Sequence, residues 1–341
     1  MSKLEIEGVV LVVGGSGYLG LHLLHYLATS TKFRLAYTFN KNDAPRSHPS
    51  LQDVQGFHVD LRTGVGWDQI SKTLGPPAAV VNCAAISVPR ECEENPEQAS
   101  EVNVPRSLIQ WLKSFAHNKP LLVHLSTDQD LPSEWAIDQT QKLITDCVHS
   151  VYEGTKSFYK EDEETKPVNV YGKSKVEAEK HIRAHWQNFA VLRSSIIYGP
   201  QPVVPVQKSL PVQWMDTTLA AGKKVDFFTD EFRCPVFVRD VVKVVLLLIA
   251  NLTAEGGFAQ LVLNVGGPDR LSRAEMAEVV AEVKGYEASL INHVKASTVD
   301  RGVKSPPDIS MDVSRLETFF GITMTKFADG VRQTLSLPHP A

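Results

Sequence analysis

Through its first half the chain alternates short apolar, β-branched runs with longer segments of helical period. The runs Val9–Val13, Arg34–Phe39, Gly56–Val59, Ala78–Asn82, Leu121–Leu125 and Ala190–Ile196 read as strands bounded by turn residues. Segments near Tyr18–Thr29, Trp67–Leu74, Glu97–Ala116 and Tyr171–Trp186 read as the helices between them. Strand and helix in strict succession predict an α/β fold, a Rossmann doubly wound parallel sheet with crossover helices on both faces.

After Ile197 the pattern changes. The stretch YGPQPVVPVQKSLP carries Pro200, Pro202, Pro205 and Pro211, which disfavour long regular elements and mark a crossing into another lobe. Val236–Ala250 reads as a return to the first lobe, and Ser272–Glu282 and Met311–Phe319 as helices of the second. The expected organisation is a dinucleotide-binding lobe from residues 1–196 and 237–256, and a smaller α/β C-terminal substrate lobe from 197–236 and 257–341. Residues 129–150, QDLPSEWAIDQTQKLITDCVHS, form an insertion longer than a compact loop normally uses. It reads either as a surface excursion or as a lid or docking element.

Composition then removes function classes. The 35 Lys+Arg against 39 Asp+Glu leave a net charge of -4, so no basic field is present to neutralise a run of phosphates, and nucleic acid is not an expected partner. Cys83, Cys92, Cys147 and Cys234 show no CxxC spacing, which suits reduced thiols and gives no metal site. MSKLEIEG is acidic where a signal peptide is basic, and Val236–Ala250 contains Arg239, Asp240 and Lys243. That segment is too short and too charged to span a membrane, so a cytoplasmic location is expected.

Two motifs carry chemistry. In VVLVVGGSGYLGLHLL, Gly14, Gly17 and Gly20 stand three apart between a strand and an amphipathic helix. Glycines there permit a tight turn and let a pyrophosphate approach the positive end of the helix, which predicts dinucleotide binding. The second strand ends without the acid that would accept from the ribose 2′-hydroxyl of NAD(H). Asn40 and Lys41, with Arg46 beyond, instead favour the 2′-phosphate of NADP(H), unless they are simply solvated loop residues. At the end of the third strand Asp60 and Leu61 stand where they would flank an adenine, and Asp60 would equally serve as a turn cap.

In YGKSKVEAE, Tyr171 and Lys175 leave one helix face a turn apart. An ammonium beside a phenol favours the phenolate and so makes a tyrosine a usable proton donor and acceptor. Tyr37/Lys41 and Tyr152/Lys156 share the spacing, but the first lies at a strand and the second in a glycine-broken loop. Ser126, Thr127 and Asp128 follow the fifth strand at its carboxyl end, where open α/β sheets bind ligands, and a hydroxyl there can bond a substrate carbonyl oxygen or merely cap the turn.

With the glycine turn at Gly14–Gly20, the segments DLR at Asp60–Arg62, NCAA at Asn82–Ala85, CEENPEQASEVN at Cys92–Asn103, LSTD at Leu125–Asp128, VYEG at Val151–Gly154, YGKSKVEAE and LRSSIIYG at Leu192–Gly199 complete a pattern. The chain resembles the extended short-chain dehydrogenase/reductase superfamily, and within it the dTDP-4-dehydrorhamnose reductase-like family. The resemblance implies a catalytic set of Thr127, Tyr171 and Lys175. It implies cofactor contacts from Gly14, Gly17, Tyr18, Leu19 and Gly20, from Asn40, Lys41, Asp60 and Leu61, from Cys83, Ala84, Ala85 and Asn103, and from the Tyr171/Lys175 pair. Ser126 and Arg233 would meet substrate, Arg233 by gripping a nucleotide-sugar diphosphate or, alternatively, by pairing with Asp230 or Glu231. The implied activity is NADPH-dependent reduction of a keto group on a nucleotide-linked 4-keto sugar. The family also includes the regulatory β subunit of methionine adenosyltransferase, so a second reading is an NADP-binding regulator docking on that enzyme's catalytic subunit; a nucleotide-sugar epimerase or dehydratase is a third. The expected partners are thus a small keto substrate or that subunit, and a second copy of the chain in a homodimer. Residues 129–150 depart from the family, which usually runs directly from Ser-Thr-Asp into the segment matched here by VYEG.

Overall fold

The computed structural model describes residues 8–115, 117–127, 151–207, 209–253, 259–298 and 305–336. The insertion at 129–150 lies outside them. The strands are β1 (Val9–Val13), β2 (Arg34–Phe39), β3 (Gln55–His58), β4 (Ala79–Asn82), β5 (Leu121–Thr127), β6 (Phe189–Ser194), β7 (Ile197–Tyr198), β8 (Val225–Phe228), β9 (Phe232–Arg233), β10 (Val236–Phe237), β11 (Gln260–Val265), β12 (Leu271–Ser272) and β13 (Ile291–Val294). The helices are α1 (Tyr18–Ser30), α2 (Trp67–Leu74), α3 (Pro89–Glu94), α4 (Pro96–Asn103), α5 (Arg106–Lys113), α6 (Val170–His185), α7 (Pro211–Ala220), α8 (Val238–Thr253), α9 (Arg273–Lys284), α10 (Ser314–Phe320) and α11 (Phe327–Leu335).

Seven strands form one parallel sheet in the order β11-β6-β5-β4-β1-β2-β3. Connections run outward in both directions from β1, which pairs with β2 on one edge and β4 on the other. The strand order reverses there, and the crevice outside the carboxyl ends of β1 and β4 is where such sheets take ligands.

β1 reads VVLVV without alternation because helices cover both sides of it. Val10 packs with Leu23 and Leu27 of α1 and with Val241, Val245 and Leu248 of α8. Val9, Leu11 and Val13 face the other way, against Leu108 and Leu112 of α5 and Ile182 of α6. Trp67 and Trp111 stack at 4.7 Å between α2 and α5 and seal that side. Leu11 is fully buried, and Leu11→Ala should cost about 2–5 kcal/mol, read as a lowered denaturant midpoint.

Three departures from the sequence expectations have physical reasons. The helix expected over Glu97–Ala116 is two, because Pro105 lacks an amide proton and forces Val104 into an extended conformation (φ -85, ψ 114). A seventh strand, β11, joins the sheet beside β6, so residues 260–265, expected in the second lobe, belong structurally to the lobe of the large sheet. Leu316 and Met324 also pack into the main core with α1 and α8.

The smaller lobe gathers α7, α9 and α11 around Tyr198, Val212, Met215, Phe227, Phe237, Val280 and Val331. The pairs β8 with β13 and β9 with β12 edge it, and Ser272 and Glu275 close a reciprocal capping box on α9. The proline-rich crossing is fastened to the first lobe. Val203, Val204 and Val206 cover Leu21, Leu24, Tyr37 and Leu51, and the Pro200 carbonyl accepts from Tyr18 Oη at 3.2 Å and meets His22 Nε2 at 3.1 Å. Among the described residues no helix is long and apolar enough to cross a membrane.

Candidate active site

The glycines after β1 have separable reasons. Gly14 has φ +78, and a Cβ there would stand 2.9 Å from the Ala84 amide. A Cβ on Gly20 would strike the Gly14 carbonyl oxygen at 2.3 Å, so the helix meets the turn only without one. Gly15, outside the three-residue spacing, is equally constrained, with Tyr37 Cβ at 2.5 Å. Gly17 differs: a Cβ would meet nothing nearer than the Gly14 oxygen at 3.4 Å. It is the N-cap of α1, exposed and without a side-chain cap, and the first turn holds no acid. The first-turn amides, Tyr18 and Leu19 among them, have no intrahelical acceptors. An uncapped positive helix end beside an open glycine fits a pyrophosphate.

At the end of β2, Asn40 and Lys41 are exposed. Arg46 is held 3.0 Å from Asp43, which also accepts from the Tyr37 hydroxyl. Asp43 is the acid that a reading confined to the strand end passes over; burial, then its hydrogen bond with Asp43, pushes the Tyr37 phenol well up. Asp60 accepts from the Arg62 backbone at 2.9 Å and from its guanidinium at 3.0 Å, so it caps its own turn, and the Arg62 hydrogen bond holds its carboxyl below the usual range. Leu61 packs at the edge of the α5 and α6 core.

Cys83, Ala84 and Ala85 follow β4 at the same edge. The Cys83 amide donates to Val13 O at 2.9 Å and the Ala84 amide to Asn82 Oδ1 at 3.2 Å. Asn82 Nδ2 in turn meets His124 Nδ1 at 3.1 Å. His124, fully buried in β5, is kept neutral by burial and then by the charge of Lys175, its pKa driven well below the ordinary value. Burial also pushes the Cys83 thiol up to about 12, against the pull of Lys175.

Asn169 begins α6 by accepting from the Gly172 amide at 3.0 Å, which fixes where Tyr171 and Lys175 emerge. Both are 2% exposed. Lys175 Nζ lies 5.6 Å from the Tyr171 ring centre and donates to Leu125 O at 3.2 Å, which draws the pair to the carboxyl end of β5. Thr127 is the last residue of that strand, opposite Ser194. Asn103 is buried and structural in its bonds: its Oδ1 accepts from the Ile86 amide at 2.7 Å, and its Nδ2 donates to Ile86 O at 3.0 Å and Ser174 Oγ at 2.9 Å. It ties the loop after β4 to the Tyr171 helix.

Two expected substrate residues point elsewhere. Ser126 is fully buried and donates to Glu179 at 2.7 Å, because its side chain leaves the strand on the face beneath α6. Arg233 is fully buried and donates to the carbonyls of Phe232 (2.6 Å), Pro306 (2.9 Å) and Pro307 (3.3 Å). It laces residues 305–307 to β9; gripping a diphosphate would require these bonds to give way. Sequence reasoning missed Gly15, His124, Glu179 and Arg193, although Glu179 stands in YGKSKVEAE one turn beyond Lys175. Among the described residues no group of three or more His, Cys, Asp or Glu is placed to hold a metal.

The sequence model of the RmlD substrate binding domain family matches residues 8–337. Among curated proteins, the chain is 29% identical over 253 residues to the probable low-salt glycan biosynthesis reductase Agl14 of Haloferax volcanii, covering 73% of this chain and 74% of that one. It is 27% identical over 330 residues to methionine adenosyltransferase 2 subunit beta of Bos taurus, covering 96% and 86%. A hypothetical dTDP-4-dehydrorhamnose reductase from Sulfolobus tokodaii superposes with a TM-score of 0.71 at 24% identity, over 94% of this chain and 98% of that one. The Thermotoga maritima UDP-glucose 4-epimerase with UDP-glucose gives 0.73 at 18% identity, over 96% and 97%. These two share the fold.

Proposed function

Because the chain belongs to the RmlD substrate binding domain family of extended short-chain dehydrogenases/reductases, we propose that it is an NADP(H)-dependent reductase of a keto group on a nucleotide-linked 4-keto sugar. The observation that carries this reading is the Tyr171–Lys175 pair held against the carboxyl end of β5, on the same sheet edge as the Gly14–Gly20 turn. A reduced nicotinamide, when bound, supplies the hydride. Tyr171 gives the proton from Oη to the carbonyl oxygen as it gains charge. Lys175 would favour the phenolate left behind and would hold the ribose hydroxyls, and Thr127 would orient the oxygen. The α1 amides beside Gly17 would hold the pyrophosphate, and Lys41 would supply the charge that meets a 2′-phosphate.

A second reading, an NADP-binding regulatory β subunit of methionine adenosyltransferase, is favoured by the breadth of the bovine match, 96% of this chain against 73% for the archaeal reductase. One experiment separates them. The protein is mixed with NADPH and dTDP-4-dehydrorhamnose while NADPH absorbance is followed, and in parallel is run with a methionine adenosyltransferase catalytic subunit by size exclusion. Substrate-dependent loss of absorbance supports the reductase. Co-elution with altered synthetase kinetics and no NADPH consumption supports the regulator, and neither result would sink both.

A further inference from the structure

Ser126 of β5, Arg193 of β6 and Asn264 of β11 stand side by side in the register of the sheet. All three are buried, and Glu179 of α6, 3% exposed, lies over the row. Glu179 accepts from Ser126 Oγ at 2.7 Å, from Arg193 Nε at 3.0 Å and from Arg193 Nη2 at 2.7 Å. Arg193 Nη1 donates to Tyr152 Oη at 3.0 Å and to the Glu161 carbonyl at 3.1 Å. Tyr152 Oη donates to Asn264 Oδ1 at 2.9 Å, and the Asn264 backbone N–H donates to Glu161 Oε1 at 3.0 Å. Burial opposes the Arg193 charge, but Glu179 overcomes it and holds the guanidinium pKa above its usual value.

A buried ion pair is a poor way to gain stability, since apolar side chains of similar volume generally do as well or better. This one joins α6 to β5 and β6. Tyr171, Lys175 and Glu179 lie on one face of α6, one turn apart. Lys175 bonds the carbonyl of Leu125 and Glu179 bonds the hydroxyl of Ser126, so successive turns of the helix are pinned to successive residues of the strand. A helix free to rotate or slide would carry Tyr171 away from the end of β5.

We propose that Glu179 and Arg193 are positioning residues that set the rotation and height of α6, and thereby aim Tyr171 and Lys175, while holding residues 151–161 beside the site. This rests on the reading of Tyr171 and Lys175 as the reacting pair. The test compares Glu179→Gln, Arg193→Met and the double variant Glu179→Met/Arg193→Met, with thermal midpoint, amide hydrogen exchange of residues 170–176 and NADPH affinity by protein fluorescence as readouts. Each single variant should lower the midpoint and weaken NADPH binding by about tenfold or more, through displaced Lys175. In the double variant the midpoint should recover, the buried charges being gone, while exchange at 170–176 stays faster than in the wild type and NADPH stays weakly bound. If the double variant regains wild-type exchange and affinity with its midpoint, the pair is structural and the proposal is overturned; wild-type exchange and affinity in Glu179→Gln overturn it too. A wild-type protein that fails to bind NADPH would remove the proposed function, and the exchange measurement would still decide the positioning role.

Discussion

Tyr171→Phe is expected to cut NADPH-dependent turnover by more than ~100-fold, the low end of what a positioned general acid contributes. The ring is 2% exposed and packs among Cys92, Ala99, Ile86 and Val170. Phenylalanine keeps those contacts, and the Ser174 hydroxyl that donates to the Tyr171 carbonyl at 2.7 Å is untouched. The substitution therefore removes one oxygen from the reaction rather than a helix from the fold. NADPH affinity should stay within about twofold, because Lys175 and the glycine turn remain. Steady-state turnover beside a fluorescence titration checks both, and turnover at the wild-type rate would eliminate Tyr171 as the proton donor.

The strands and helices of the seven-stranded sheet are legible because they are dictated locally. A strand buried on both faces reads as an unbroken apolar run, as in Val9–Val13, and a helix over a sheet repeats its apolar face, as in Leu23 and Leu27 of α1. β11 was harder to read. Its place beside β6 depends on a chain that leaves for the smaller lobe and returns through α8, a long-range fact with no local signature.

The site divides in the same way. Gly14 and Gly20 leave no room for a Cβ, and Tyr171 and Lys175 stand one helical turn apart, so spacing alone brings these candidates into view. The resemblance and its place at the carboxyl end of β5 make Ser126 a substrate contact, yet its side chain turns beneath α6 and donates to Glu179. The family resemblance offers Arg233 a diphosphate to grip, or Asp230 or Glu231 to pair with. Whether a guanidinium meets a ligand or its own backbone depends on how residues 305–307 fold over β9, which no spacing near Arg233 reveals.

The glycine turn provides the second large effect, because two of its glycines should fail for different reasons. In Gly20→Ala the new Cβ would sit 2.3 Å from the Gly14 oxygen and 2.8 Å from Gly15 Cα, both backbone atoms that cannot swing aside. The start of α1 must then move off β1, and overpacking of this kind costs about 1–3 kcal/mol, seen as a lowered denaturant midpoint together with lost NADPH binding. Gly17→Ala should behave otherwise. Its backbone (φ -81, ψ 168) is extended and open to any residue, and the Cβ would meet the Gly14 oxygen at an ordinary 3.4 Å. The midpoint should therefore stay within about 0.5 kcal/mol of the wild type. NADPH binding should nonetheless fall by more than about tenfold, since the methyl would occupy the open side of the turn, where the pyrophosphate must approach the α1 amides. Unchanged affinity in Gly17→Ala would mean that the turn is only a strand-to-helix connection, and the dinucleotide would have to be held elsewhere.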